Sequence, residues 1–349
     1  MEQRNLSPQQ MFIALAGEHV PRFRFMGTTA EQFRQWKQEA LPAVKATLGD
    51  RPPQTPSEPR LQAEWTHDGL LKQRWILDVS RHISAVVQIN YPAAGAGRLP
   101  AILCWHGHFF GGKEAVMGND SSSELKAVLA ENNSNYGHRM AREGFVTFAL
   151  DWFGYGDRSD EDKPNWRSPP GKKDWCDVYY LHATMLGMTP LGIYVAHGMA
   201  MTDFICSLPR VDPERLGVMG LSAGGTLALW SALFDPRLKA AELICYSDLW
   251  PAFGYRDINY CGMEIAPGLF KLVDVSDLQG LLAPAPLLLD IGIHDTCYKV
   301  DTAMECYRQV QSIYRAAGAG DRLELDLFAG EHAWGANKSV SFFGKYLHA

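Results

Sequence analysis

No two of the seven cysteines stand in C-x-x-C spacing, and their number is odd. Both facts speak against a zinc ribbon or a redox dithiol, so the thiols are read as reduced and mostly as small core residues. Cys261 and Cys297 are the two expected nearest a pocket. A basic block is missing as well: 33 basic and 39 acidic side chains are scattered along 349 residues, for a formal charge of -6. Nothing in that pattern would track a phosphate backbone, and nucleic acid is not an expected partner. Near the start, the apolar run Met11–Gly17 is short and lacks both a basic flank and a small-residue cleavage site. No stretch approaches the roughly 18 to 20 apolar residues of a membrane span. The expectation is a soluble, cytoplasmic protein with no membrane partner.

What is present is a chain 46% hydrophobic, enough to bury one large core. Residues 1–60 read as a helical extension. Thr28 and Glu31 fit the S/T-x-x-E capping box, Phe33, Trp36, Ala40, Leu41, Val44 and Leu48 recur at helical spacing, and Pro42 is expected to split the run into two short helices. The Pro-rich Arg51–Arg60 is a linker. Residues 61–349 read as the catalytic domain. Leu71–Val79 and Ser84–Tyr91 suggest an antiparallel pair, and Ala101–Trp105 is apolar throughout, as in strands buried on both faces.

Strand and helix patterns then alternate: Tyr136–Arg142, Phe145–Leu150, Leu191–Leu208, Leu216–Met219, Ala223–Phe234, Ala240–Cys245, Pro286–Ile291, Asp301–Ala317, Leu323–Phe328 and a last helix after Ala336. That order predicts an α/β class with a mostly parallel, doubly wound sheet. Residues 154–190 and 247–278 fit no regular element and read as inserts that shape a binding site.

The strongest motif is Gly220-Leu221-Ser222-Ala223-Gly224-Gly225, a G-x-S-x-G between an apolar strand and an apolar helix. A serine on such a sharp turn needs small neighbours, because side chains there would strike adjacent backbone. The bland alternative is an ordinary N-cap serine. A phosphate loop fits less well, since the Lys-Ser/Thr ending is missing.

Together with His106-Gly107-His108 and Gly111-Gly112-Lys113, the turn Asp151–Asp157, Gly292-Ile293-His294-Asp295 and Gly330-Glu331-His332-Ala333-Trp334, the elbow makes residues Leu71–Leu347 resemble the α/β-hydrolase superfamily. Within it the resemblance is to the dienelactone-hydrolase-like and acetylxylan-esterase-like branch. Dienelactone hydrolase itself uses cysteine, so Ser222 favours the esterases. The resemblance implies His332 as the base and Asp295 as its carboxylate, with Asp248 and Asp301 as alternatives. It also implies the amides of Ala223 and His108 as oxyanion donors. His106-x-His108 supplies only two metal ligands, so neither a metal nor another cofactor is expected. Asp151–Asp157 reads as a structural turn. Trp250, Tyr260, Phe253, Trp166 and Trp175 line a pocket or anchor the inserts, with Trp250 and Tyr260 the substrate-binding candidates.

The expected activity is hydrolysis of a small-molecule ester through an acyl-enzyme, with a short, acetyl-type acyl group on a carbohydrate suggested by the resemblance. A peptidase of the prolyl-oligopeptidase type and a catalytically silent binding protein are the alternatives. A homo-oligomer is compatible with the N-terminal helices, which belong either to the pocket or to a dimer contact.

Overall fold

The structure is a computed structural model that describes residues 4–93, 97–160 and 175–348. Its strands are β1 (Arg60–His67), β2 (Leu70–Ser80), β3 (Ile83–Tyr91), β4 (Leu99–Trp105), β5 (Val146–Leu150), β6 (Val211–Leu221), β7 (Leu238–Ile244), β8 (Leu287–Gly292) and β9 (Leu323–Phe328). They form one sheet in the order β1-β2-β3-β5-β4-β6-β7-β8-β9. The pairs from β1 to β5 are antiparallel, and from β5 through β4 to β9 every neighbour is parallel. Strand order reverses between β4 and β6, where the loops leaving two adjacent strands diverge and open a crevice.

Alternation along β4 feeds two cores. Ala101, Leu103 and Trp105 point into the larger cluster, and Ile102 and Cys104 into the one on the other face, all fully buried. A strand so enclosed must be apolar at every position, which is why it stood out in the sequence. The helices covering the sheet are α1 (Pro8–Glu18), α2 (Ala30–Ala46), α3 (Lys113–Val116), α4 (Ser123–Asn132), α5 (Tyr136–Arg142), α6 (Trp175–Met185), α7 (Pro190–Ser207), α8 (Ala223–Phe234), α9 (Leu269–Leu272), α10 (Val275–Gly280), α11 (Val300–Ala316) and α12 (Ser339–Leu347). None is long and apolar enough to cross a membrane.

Several local expectations are corrected. Pro42 does not divide the N-terminal pattern: α2 runs through it. An interior proline costs about 3 kcal/mol, but burying Phe33 and Val44 returns about 1.5–3 kcal/mol each. The capping box sits one residue later than the sequence suggested. Thr29 is the N-cap and Gln32 answers it, the register that turns Phe33, Ala40 and Val44 inward. Strand β1 starts at Arg60, inside the stretch read as linker. The inserts also hold regular structure: α6 in the first, and in the second a π-helical turn at Trp250–Arg256 followed by α9 and α10.

The N-terminal extension docks on the second insert. Phe23 and Arg22 donate their amides to the carbonyls of Leu272 (2.7 Å) and Lys271 (3.0 Å), and the Gln9 side chain reaches Tyr255 O (2.6 Å).

Candidate active site

Ser222 lies at the tip of β6 with φ 60° and ψ -122°, a region that non-glycine residues enter at a cost of about 1–3 kcal/mol. The turn is held by Ser222 N donating to Ile244 O (2.9 Å) and by Ser222 O accepting from the amides of Gly225 (2.7 Å) and Thr226 (3.2 Å). The neighbouring glycines are steric requirements. A Cβ on Gly220 would lie 2.2 Å from Gly224 O, and one on Gly224 would lie 2.3 Å from Trp105 O. The start of α8 therefore presses against the end of β4. A Cβ on Gly107 would come within 2.8 Å of Leu221 O, so the His106–His108 loop abuts the elbow as well. The Ala223 amide opens α8, among the first-turn donors that have no acceptor inside the helix.

His332 follows β9 and Asp295 follows β8, at the same carboxyl edge of the sheet as Ser222. The ring nitrogen Nδ1 lies 2.8 Å from Asp295 Oδ2, with the carboxylate side chain 1% exposed. Facing a carboxylate, Nδ1 carries the proton and Nε2 keeps its lone pair. Asp295 Oδ1 accepts from the amides of Cys297 (2.7 Å) and Tyr298 (3.0 Å). Burial alone would raise this carboxyl, but the His332 hydrogen bond and charge, with the two amides, hold it below the usual carboxylate range. Tyr298 stacks on the imidazole at 5.7 Å and 14°. Asp248 lies elsewhere: its Oδ1 accepts Leu249 N (2.7 Å), and burial pushes it up to about 6. Asp301 is exposed and bonds Thr302 N (2.9 Å).

The loop carrying His332 is fixed by groups that the sequence did not announce. Asn132 Nδ2 donates to His332 O (3.1 Å) and Asn132 O accepts Trp334 N (3.0 Å). Trp334 Nε1 reaches Glu242 on β7 (3.1 Å) and Ser339 (2.9 Å). Trp334 belongs to the Gly330–Trp334 motif, but no local pattern marks Asn132 or Glu242.

The two histidines after β4 do different things. His106 is fully buried, stacked on Trp152 at 5.3 Å and beside Asp151 at 3.6 Å, and burial brings it down to about 4. It is a neutral core histidine. The His108 ring meets the second insert instead, with Nε2 3.2 Å from Cys261 Sγ. Asp151 accepts from the Lys113 amide (2.8 Å) and ammonium (2.7 Å) and from the Asp157 amide (3.2 Å), as suits a structural turn. Among the described residues, two groups of side chains have metal-ligand spacing: His108, Cys176 and Cys261, and Cys245, Asp295 and His332. In the second group Nδ1 and Asp295 are already paired, and the Cys245 thiol bonds Ala333 O (3.3 Å).

Trp250 stacks on Phe253 (4.8 Å) and meets Tyr260 edge-on (5.6 Å). Trp250 and Tyr260 line an apolar cavity of about 520 Å³ shared by α1 and the second insert, with Phe12, Leu15, Tyr180 and Phe270 among its walls. Ser222, Asp295 and His332 are not in that lining. Trp175 stacks on Tyr179, and Trp166 lies outside the described residues.

No protein-family model matches the chain. A Bacillus subtilis (strain 168) protein, YtaP, whose name carries a provisional hydrolase assignment, is 25% identical over 306 residues, 86% of this chain and 96% of that one. A Bacteroides fragilis structure, described provisionally as an acetyl xylan esterase, superposes with a TM-score of 0.74 at 19% identity, covering 94% of this chain and 83% of that chain. A glucuronoyl esterase from Solibacter usitatus gives a TM-score of 0.64 at 14% identity, with 93% and 96% covered. The parallel sheet, the strained serine at its switch point and these neighbours make this a chain of the α/β-hydrolase fold.

Proposed function

We propose that the chain is a serine carboxylic-ester hydrolase, with Ser222, His332 and Asp295 as its triad. The observation that carries this reading is the Asp295–His332 hydrogen bond at the sheet edge from which the strained Ser222 projects. A serine hydroxyl is a weak nucleophile until a base takes its proton. Nε2 of His332 accepts that proton as Oγ adds to the ester carbonyl, and the Asp295 carboxylate balances the imidazolium. The amides of Ala223 and His108 receive the oxyanion. His332 then protonates the leaving alcohol, and water, deprotonated by the same nitrogen, releases the acid. No cofactor enters these steps.

Likeness to acetyl xylan and glucuronoyl esterases supports a carbohydrate ester as substrate, and the acetyl xylan esterases among them support a short acyl group. Trp250 and Tyr260 are the proposed substrate-binding side chains, and because their cavity does not include the triad, they are assigned to a part of the substrate away from the scissile ester.

Ser222→Ala tests the reading. Turnover of p-nitrophenyl acetate should fall about 10⁴-fold or more, and labelling by a fluorophosphonate should vanish. Full activity in the variant would end the proposal. A series of acyl esters beside acetylated sugars then sets the chain length, and aminoacyl anilides should be cleaved far more slowly.

A further inference from the structure

We infer that His108, Cys176 and Cys261 form a binding site for a thiophilic divalent cation, zinc above all, between the two inserts and the loop that follows β4. The donor atoms of the three side chains lie within 4.8 Å of one another. His108 Nε2 is 3.2 Å from Cys261 Sγ, and the Cys261 thiol is hydrogen-bonded to that of Cys176. The three come from separate segments: the β4 loop, α6 in the first insert, and the stretch after the π-helical turn in the second. No sequence spacing could reveal such a site.

The donor set suits zinc. Two thiolates and an imidazole are one of the ligand sets of zinc sites that have three protein ligands and keep a fourth position for water. A carboxylate stands near the other ring nitrogen of His108, within ion-pair range but beyond direct hydrogen-bond reach. Glu264 Oε2 lies 3.9 Å from His108 Nδ1, the nitrogen turned away from the thiols. Its carboxylate is fixed by Thr226 Oγ1 (3.1 Å) and the Cys261 amide (3.4 Å). A carboxylate behind the free nitrogen of a ligating histidine sets its tautomer and raises its basicity. A disulfide between the two cysteines would account for the thiols but would leave the His108 ring and Glu264 unused.

Binding exchanges protons for metal. Two thiols lose their protons to solvent as two S–metal bonds form, and no electrons move. The ion ties both inserts to the backbone of His108, whose amide is the proposed oxyanion donor. Uptake of metal is read without any ester, so it stands or falls apart from the hydrolase reading.

The test uses the full chain, purified with reductant, stripped by a chelator and titrated with cobalt(II) chloride. A near-ultraviolet thiolate-to-cobalt band and the visible bands of tetrahedral cobalt should saturate at one equivalent per chain. Zinc should bleach both. Cys176→Ser and Cys261→Ser should each remove about half of the charge-transfer intensity or more, and Glu264→Gln should weaken binding about 10-fold. Circular dichroism of each variant separates loss of the site from loss of the fold. Absence of the band in a folded chain overturns the assignment. So does an unchanged band in Cys176→Ser, its loss in Cys245→Ala, which would put the ion at Cys245, Asp295 and His332, or recovery of Cys176 and Cys261 as a disulfide that zinc does not prevent.

Discussion

At the scale of single residues, the choice of carboxylate is the sharpest question, because Asp295 and Asp248 both follow strands of the same parallel sheet. Only Asp295 meets the imidazole, at 2.8 Å. Asp295→Asn should lower kcat on p-nitrophenyl acetate about 10⁴-fold by favouring the wrong tautomer, whereas Asp248→Asn should leave kcat within roughly twofold. Equal losses from both variants would contradict the pairing. The folded-state carboxyl of Asp295 is held below its ordinary value. Its contribution to stability is therefore present above the unfolded pKa and fades as pH falls through the lower folded one. Gly224 offers a second test, since the atom facing its absent Cβ is the backbone oxygen of Trp105 at 2.3 Å, which cannot rotate away. Gly224→Ala should destabilise by about 1–3 kcal/mol in urea unfolding. An unchanged midpoint would mean that the elbow has slack.

Among elements, β7, β8 and β9 bring Glu242, Asp290 and Asp326 together, all at most 4% exposed, beneath the loop that carries His332. Glu242 already accepts from Trp334 and Ser339. Burial, and then the charges of Glu242 and Asp326, push the Asp290 carboxyl well above the usual carboxylate range. Its sign is opposite to that of Asp295. Stability is fully present below the unfolded carboxyl pKa and is lost as pH rises toward the folded one. Asp290→Asn supplies an N–H donor that needs no proton. Thermal melts of the variant should match the parent at pH ~4 and exceed it above neutrality by about 1–3 kcal/mol. A variant less stable than the parent at pH 8 would show that Asp290 is ionised in the fold.

On the scale of the whole molecule, α1 and the segment after it cover the second insert, and with that insert enclose the cavity lined by Trp250 and Tyr260. A chain beginning at His19 should lose the α1 part of that cover, expose Tyr255, and be cut faster by protease within residues 250–272. Unchanged cleavage would mean that the insert holds itself.

Much of this organisation was legible beforehand. β9, α5 and α8 begin and end where the residue pattern places them. The failures have a common cause. α2 runs through Pro42, and α9 and α10 are only a turn or so long, so both depend on partners far away in sequence rather than on local preference.

The order of residues along the chain is enough to specify a mostly parallel sheet and the elbow. Strands buried on both faces must be apolar throughout, and a serine at positive φ against neighbouring backbone demands glycine on either side. Tertiary structure alone decided which acid faces His332, 37 positions away, and which way His108 turns, toward a cysteine 153 positions along. Those contacts depend on how loops from different strands meet in space, and no local pattern of residues encodes that meeting.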